Sequence, residues 1–172
     1  SDTIYQITSS ENQNSNEYNN MSSILLGDCE SELKRANGIK ENEALIIFKL
    51  DIKEEGLKIP IIQYEIYNPY TLEKLELDVC KDKNIDISIP VSIDEKNLFK
   101  YNSSDEYYND ICYSYTTENG TDIVVKDRQS EFKDNNMSLC ESNCNYTSYN
   151  STTKKVICNC AVKNNIARSE ER

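Results

Sequence analysis

This chain of 172 residues contains seven cysteines, whose thiols can form disulfide bonds or bind metal ions. They are Cys29, Cys80, Cys112, Cys140, Cys144, Cys158 and Cys160. Four of them crowd between positions 140 and 160, a density that is typical of disulfide bonds formed in an oxidising compartment. The cysteines therefore predict covalent cross-links and a secreted or cell-surface protein.

The spacing of the cysteines favours one pairing. Cys29 and Cys80 flank the first predicted sheet, one on a helix and one at a strand end, and closing that loop stabilises the fold by about 4 kcal/mol. The five other cysteines cannot all pair within one chain, so one thiol is free or bonded to another molecule. Cys158 and Cys160 share a strand face but lie too far apart to bridge each other, so they need different partners.

Metal binding is a second chemistry that the sequence could offer. The interval between Cys140 and Cys144 suits zinc, but the single residue between Cys158 and Cys160 suits it less, and the chain has no histidine. Oxygen-bearing residues at 82–84 and 127–135 are the candidates for calcium. Lysines adjoin the first cluster and neither cluster has the EF-hand spacing. We expect neither a metal nor a cofactor.

N-glycosylation is predicted by six Asn-x-Ser/Thr sequons with a non-proline middle residue. Their asparagines are Asn20, Asn102, Asn119, Asn136, Asn145 and Asn150. Together with the cysteines, these sequons indicate an extracellular or cell-surface glycoprotein.

Catalysis has few routes open in this sequence. Without histidine, serine and cysteine triads and histidine-tuned proton shuttles are excluded. A pair of carboxylates, as in glycosidases, is the remaining alternative. The acids weighed for it are Asp51, Glu54, Glu55, Asp105, Glu106 and Asp110. Nothing singles out a buried pair among them, and the four glycines form no phosphate loop. We therefore predict that the chain is not an enzyme.

Tyrosine is the dominant aromatic residue, with twelve tyrosines against three phenylalanines and no tryptophan. Exposed tyrosines stack on sugars or anchor protein interfaces at low entropic cost. We expect most of them to be half-buried in the core and the others to form a binding face. The candidate binding residues are Tyr5, Tyr107, Tyr108, Tyr113 and Tyr115.

Charge and hydropathy exclude several classes of partner. A net charge of −11 makes the chain repel nucleic acids and anionic lipid surfaces. No stretch approaches the roughly 20 apolar residues of a membrane-spanning helix. The start at Ser1 lacks a signal-peptide pattern, so we expect a mature protein or a module of a larger one.

Most of the elements that must position these residues are strands. Period-two alternation, with charges on the other face, predicts four strands with one dry side over 44–52, 59–67, 72–80 and 85–91. Short strands are also predicted over 3–8 and, in the cysteine-rich segment, over 154–158. A helix is predicted over 28–38, where Asp28 is the candidate N-cap and Asn37-Gly38 ends the helix. Asn119-Gly120 predicts a hairpin between 111–116 and 121–125, with a glycan at its turn. Residues 92–111 are expected to form a long, glycan-bearing connection.

These elements predict a mainly β fold, either an antiparallel β-sandwich or a sheet covered by the helix, with a small disulfide-rich C-terminal subdomain. Four segments are expected. They are an N-terminal strand and flexible tether (1–24), a β-rich domain with one short helix (25–104), a hairpin with the cysteine-rich subdomain (105–160) and a polar tail (161–172). The N-terminal strand could also pair with a neighbouring copy of the chain.

Two resemblances follow from particular residues. The segment from Cys140 to Cys160 resembles the middle of an epidermal-growth-factor-like module, although the sixth cysteine of that module is absent. The segments at 26–30, 64–69, 108–112 and 138–141 look like the cysteine-rich ectodomain repeats of large, uncharacterised surface or secreted proteins in unicellular eukaryotes with AT-rich genomes. The second resemblance spans about Leu26 to Lys163 and implies an extracellular repeat of a larger protein, without implying any activity.

The sequence thus favours a structural module that contacts other proteins or copies of itself, through the N-terminal strand, an intermolecular disulfide, or both. The alternative is an adhesin or receptor ectodomain whose tyrosines bind glycans or another ligand. A carboxylate-dependent hydrolase ranks below both of these functions.

Overall fold

The computed structural model describes residues 2–13, 20–56, 58–113, 124–134 and 137–163. Tyr115, Asn119 and Asn136, together with the predicted hairpin turn, lie outside these residues. The strands are β1 (Asp2–Ser9), β2 (Ser23–Leu25), β3 (Ile46–Lys53), β4 (Ile61–Tyr67), β5 (Asn84–Pro90), β6 (Cys144–Asn150) and β7 (Lys155–Ala161). The helices are α1 (Asp28–Asn37), α2 (Glu106–Asn109) and α3 (Val125–Asp134), with 3₁₀ helices at Leu77–Cys80 and Glu95–Tyr101.

Two antiparallel sheets confirm the predicted fold class. The first sheet has the order β1-β3-β4, and the second has the order β2-β5-β7-β6. The chain is therefore mainly β, as expected of an antiparallel sandwich, and its C-terminal part carries two disulfides.

The chain divides into two compact units. Unit 1 comprises Ser1–Val91 with Cys140–Arg172 and holds both sheets, whereas unit 2 comprises Ser92–Leu139. These limits differ from the four segments expected from the sequence. The reason is non-local pairing, because β1 pairs with β3 and the C-terminal β7 pairs with β5.

Helix α1 forms where the sequence predicts a helix. Gly38 adopts a left-handed conformation with φ 67°, and its N–H caps the helix on the carbonyl of Lys34. The prediction of Asp28 as the N-cap was wrong. Gly27 occupies that position, and no side chain caps the first turn.

The strand predicted over 72–80 was also wrong. Lys74 makes an isolated bridge with Tyr67, and the segment then continues into the 3₁₀ helix Leu77–Cys80. Leu72 has a φ of 61°, which a regular strand does not accommodate. Cys80 nevertheless forms the expected disulfide with Cys29, so α1 is joined to a 3₁₀ helix rather than to a strand.

Two further disulfides, Cys140–Cys158 and Cys144–Cys160, fasten the C-terminal cysteines. Cys158 and Cys160 thus have different partners, as their spacing predicts. Strand β7, which carries both of them, lies between β5 and β6. The cysteine-rich segment therefore contributes two of the four strands in the second sheet.

Strand β3 reverses the expected pattern of burial. Ile47, Lys49 and Asp51 are buried, while the alternate apolar residues, such as Phe48 and Leu50, are only half-buried. The expectation of one dry face with the charges on the other was therefore wrong for this strand. Lys49 and Asp51 are buried because they neutralise each other across an ion pair of 2.8 Å.

Unit 2 contains mainly short helices. The expected long connection over 92–111 instead contains the 3₁₀ helix Glu95–Tyr101 and α2. Asp105 caps α2 by accepting a hydrogen bond from the backbone N–H of Tyr107. The described ends of the predicted hairpin are not strands, because Ile111 lies in a turn and Val125 begins α3.

Candidate functional site

The outward face of the first sheet exposes large apolar side chains on β1. Tyr5 is 67% exposed and Ile7 is 71% exposed. Their cross-strand neighbours are Leu50 and Phe48, respectively. Tyr5 also stacks on Phe48, with ring centroids 6.3 Å apart. The candidate binding residue Tyr5 therefore lies at the exposed margin of an apolar surface.

This surface continues across all three strands, because residues that pair across a ladder project to the same side of the sheet. We call it the outer face. Its large apolar members are Tyr5, Ile7, Ile46, Phe48, Leu50, Ile52, Ile61 and Tyr67. Those on β3 and β4 are half-buried. Gln63 and Glu65 are polar members of the same face. An apolar surface with an exposed margin is typical of a protein interaction site.

The backbone of β1 adds unpaired polar groups along the same margin. The N–H of Ser10 donates to the carbonyl of Leu45 at 2.8 Å, so the residues of β1 that bond to β3 are the even-numbered ones. The backbone N–H and C=O groups of Thr3, Tyr5 and Ile7 and the N–H of Ser9 therefore point away from the sheet, whereas the Ser9 carbonyl accepts a hydrogen bond from the N–H of Asn12 at 3.2 Å. Because β1 is the terminal strand in the order β1-β3-β4, no described strand pairs with them.

Two buried polar side chains on the opposite face of β1 also lack partners. Gln6 is 5% exposed and Thr8 is 8% exposed. Among the described residues, neither the amide oxygen and nitrogen of Gln6 nor Thr8 Oγ1 has a hydrogen-bond partner. A buried polar group without a partner is costly, so these atoms mark a place where a contact is missing.

The other terminal strands are β2, β4 and β6. Hydrogen bonds from other residues occupy backbone groups at the edges of β2 and β4, and β6 carries predicted glycan sites. At β2, the side-chain amide of Gln13 occupies the backbone groups of Ile24. Its Oε1 accepts from the N–H of Ile24 at 2.8 Å, and its Nε2 donates to the Ile24 carbonyl at 2.5 Å. Beside β4, the Ile66 carbonyl accepts from the N–H of Leu75, and the Ile62 carbonyl accepts from Lys163 Nζ.

The fourth edge, β6, has a register shift between Tyr146 and Ser148 and carries two exposed sequon asparagines, Asn145 and Asn150. A bulge and bulky glycans both discourage pairing with another strand. Within the described part of the chain, β1 is thus the terminal strand that has no such device.

A hydroxyl, an amine and a carboxylate meet between the two sheets of unit 1. Lys49 Nζ donates to Ser22 Oγ and to Asp51 Oδ1, each at 2.8 Å. The hydroxyl and backbone N–H of Ser22 donate to the Asp51 carboxylate at 2.7 and 2.9 Å. A serine beside a lysine can act as a nucleophile with its base. However, all three residues are fully buried, so no substrate reaches them, and the arrangement is that of a structural network.

Burial shifts the ionisation of several groups around this network. It lowers the pKa of Lys49, although Asp51 acts in the opposite direction. It also lowers the pKa of Lys155, and repulsion from Lys49 adds to that effect. Burial raises the pKa of Tyr64 to about 12. These shifts describe a dry interior between the sheets.

A cavity of about 130 Å³ opens beside β2 and β5. It is lined by Ser10, Gln13, Ser23, Ile24, Leu25, Asp86, Ser88 and Ile157. Its volume is below the several hundred Å³ of typical ligand pockets. The carboxylate of Asp86 accepts a hydrogen bond from Asn159 at 2.9 Å. The cavity therefore gives little support to a small-molecule site.

Two of the tyrosines predicted to bind a ligand lie in the core of unit 2. Tyr107 and Tyr108 are buried with their rings 4.8 Å apart, edge to face. The Tyr107 hydroxyl donates to Glu131 at 2.6 Å, and the Tyr108 hydroxyl donates to the carbonyl of Lys100 at 2.5 Å. Their prediction as binding residues was therefore wrong, because their surfaces are used in packing.

Tyr113 is half-buried and contacts the same cluster. Arg128 is buried, and its guanidinium lies 5.7 Å from the centre of the Tyr113 ring and 5.5 Å from that of Tyr107. Its Nη1 donates to the carbonyl of Tyr107 in α2 at 2.6 Å. This buried hydrogen bond joins α3 to α2.

The unpaired thiol is Cys112, which is exposed in unit 2. Of the described sequon asparagines, Asn20, Asn145 and Asn150 are exposed. Asn102 is half-buried, and its Oδ1 accepts a hydrogen bond from the N–H of Ser104. The exposed three are the sites where a glycan meets the least steric hindrance.

The acids weighed for catalysis are dispersed. Asp51 is engaged by Lys49 and Ser22, whereas Glu54, Glu55, Glu106 and Asp110 are exposed and Asp105 is the half-buried cap of α2. In the part of the chain that the structure covers, no group of three or more histidine, cysteine or acidic side chains is placed to hold a metal ion. No helix in that part has the length and hydropathy needed to cross a membrane.

Sequence reasoning identified Tyr5 and the N-terminal strand but missed Gln6, Thr8 and Gln13. No sequence signal distinguishes these polar residues from other polar residues on a strand or turn. Comparison with known protein families, with curated protein sequences and with solved structures finds no match to this chain.

Proposed function

We propose that this chain is an extracellular, non-enzymatic module that joins protein chains into a larger surface or secreted structure. The observation that carries the proposal is the margin of the first sheet, where the unpaired backbone of β1 adjoins the outer face. Edge strands bind extended segments through main-chain hydrogen bonds, and adjacent apolar side chains add affinity.

The location rests on covalent features. Three disulfides indicate that the chain matures in an oxidising environment. The exposed sequons at Asn20, Asn145 and Asn150 fit passage through a secretory pathway, and the resemblance to cysteine-rich ectodomain repeats supports the same location. Such a repeat needs surfaces that contact its neighbours, and β1 with the outer face supplies one.

Protein contact is favoured over the alternative of a glycan-binding adhesin. The adhesin hypothesis depends on a face of exposed tyrosines, but Tyr107 and Tyr108 are buried. Tyr5 is exposed, and its neighbours on the sheet are the apolar residues Phe48 and Leu50. An exposed thiol at Cys112 offers a second, covalent means of joining chains.

Site-specific photo-crosslinking in native extracellular material tests this proposal. A photoreactive residue at Ile7 is expected to join the chain to a polypeptide, which peptide mass spectrometry identifies. The same probe at Leu25, which is 64% exposed on a terminal strand closed by Gln13, is the matched control and is expected to join nothing. Equal yields at both positions, or crosslinking to glycans alone, would contradict the proposal.

A further inference from the structure

Strand β1 has the properties of a strand that pairs with its own copy. We infer that two copies of the chain associate through antiparallel β1 strands about a two-fold axis at Gln6, which extends the first sheet from three strands to six. This inference rests on the proposed function, since it names the partner of the margin described above. The inference also specifies the strand register and the two-fold symmetry of the contact, neither of which the proposed function requires.

The register follows from the direction of the backbone groups. Only odd-numbered residues of β1 direct their N–H and C=O groups to the free edge, so an antiparallel partner must place odd residues opposite odd residues. An axis at Gln6 pairs Thr3 with Ser9 and Tyr5 with Ile7 of the second copy. It also uses nearly the whole strand, because residues 3–9 of each copy take part. The unpaired backbone groups then form about six hydrogen bonds, two for each Tyr5–Ile7 pair and one for each Thr3–Ser9 pair, because the Ser9 carbonyl already accepts from Asn12.

The buried face of β1 provides the second argument. With the axis at Gln6, this residue lies directly opposite Gln6 of the second copy, with Cα atoms about 4.5 Å apart. An amide carries both a donor and an acceptor, so two facing glutamines satisfy each other. Thr8 then lies diagonal to Gln6 of the second copy, a distance that a long side chain spans. The contact thus supplies partners for side-chain groups that have none among the described residues of a single chain.

The exposed face of β1 is equally self-complementary. Tyr5 of each copy faces Ile7 of the other, which is an aromatic and β-branched pair of the kind that stabilises antiparallel strands. The two outer faces lie on the same side of the joined sheet and merge into one apolar surface. Strand β1 contains no lysine or arginine and a single acid, Asp2, which faces Ser10 of the second copy in this register. No like charges therefore oppose each other along the contact.

Disulfide trapping tests the register. In a background in which Cys112→Ser removes the unpaired thiol, Gln6→Cys is expected to form a disulfide-linked dimer, because Cα atoms about 4.5 Å apart suit a disulfide. Thr8→Cys is the matched control. It faces Ile4 of the second copy and is expected to remain monomeric on non-reducing gels. Equal trapping of both variants, or no trapping of Gln6→Cys, would overturn the register.

Sedimentation of the purified full-length chain tests the association itself. The wild type is expected to sediment at twice the chain mass of 19.8 kDa at high micromolar concentration in 0.15 M salt, which screens the repulsion between two acidic chains. Ile7→Lys places a charge at the contact and is expected to weaken dimerisation at least tenfold. Leu25→Lys, a matched exchange on another terminal strand, is expected to leave it unchanged.

A monomeric wild type at these concentrations would overturn the inference, as would equal effects of the two lysine substitutions. The photo-crosslinking experiment keeps this failure distinct from failure of the proposed function. If a probe at Ile7 joins the chain to a different protein, the inference of a second copy fails while the proposed function stands. If it joins the chain to no polypeptide, both fail.

Discussion

The buried ion pair between Lys49 and Asp51 leads to a quantitative prediction about stability. Asp51 accepts hydrogen bonds from Lys49 Nζ and from both donors of Ser22, and all of these groups are shielded from water. Removing one partner of such a pair leaves an uncompensated charge, which costs about 3–5 kcal/mol. We therefore expect Asp51→Leu and Lys49→Met each to lower the free energy of unfolding by that amount. Lys49→Met should cause the smaller loss within this range, because Ser22 still donates two hydrogen bonds to Asp51.

The double variant distinguishes a charge effect from a packing effect. Replacing both partners removes both charges and leaves the Ser22 N–H and hydroxyl without their acceptor, which costs about 1–3 kcal/mol. The double variant should consequently be more stable than either single variant. This strong non-additivity is the signature of a coupled pair.

Urea unfolding of the oxidised protein, followed by far-ultraviolet circular dichroism, measures these differences. Arg35→Met is the control, because Arg35 pairs with Glu32 on the surface and its side chain is 69% exposed. That variant should change the free energy of unfolding by less than about 1 kcal/mol. If the two single variants differ from wild type no more than the control does, the account of a buried, coupled network is incorrect.

Three further predictions concern pH, cross-links and glycans. Because burial raises the pKa of Tyr64 from 10.0 to about 12, the stabilisation by its neutral hydroxyl is fully present below pH 10 and is lost as pH rises towards 12, on the order of 3 kcal/mol; urea unfolding of Tyr64→Phe should lack this loss. Replacing Cys29 and Cys80 together by alanine should lower stability by about 4 kcal/mol in the same assay, whereas an unchanged midpoint would contradict the loop-closure argument. In native material, glycosidase treatment should reduce the masses of peptides carrying Asn145 and Asn150, and unmodified peptides would remove that support for a secreted protein.

Local chemistry in the sequence predicts much of unit 1. The Asn37-Gly38 pair ends α1 because glycine readily adopts the positive φ that the cap requires. Period-two alternation locates β4 and β5 to within two residues of their observed limits. The Cys29–Cys80 disulfide follows from the same order of elements. These features depend on residues that are close in sequence or on simple spacing.

Other features depend on partners that are distant in sequence. Periodicity separates the two faces of β3 but does not state which one is buried. Lys49 and Asp51 are buried as an ion pair that also bonds to Ser22, which is distant in sequence. The leucines at 75 and 77 resemble strand positions, yet Leu75 precedes a 3₁₀ helix and Leu77 begins it. The candidate site needs the order β1-β3-β4, which arises from non-local pairing. Nothing in the sequence marks Gln6 as buried without a partner.

The way in which unit 2 is inserted has a structural consequence. Its two connections leave from Val91, whose N–H donates to the carbonyl of Lys154, and from Cys140, which is bonded to Cys158. The first point lies beside the start of β7 and the second is bonded to the middle of β7, so both ends of the inserted segment are held at the same strand. A change in the length of residues 92–139 is therefore expected to leave the pairing of β7 with β5 and β6 in place.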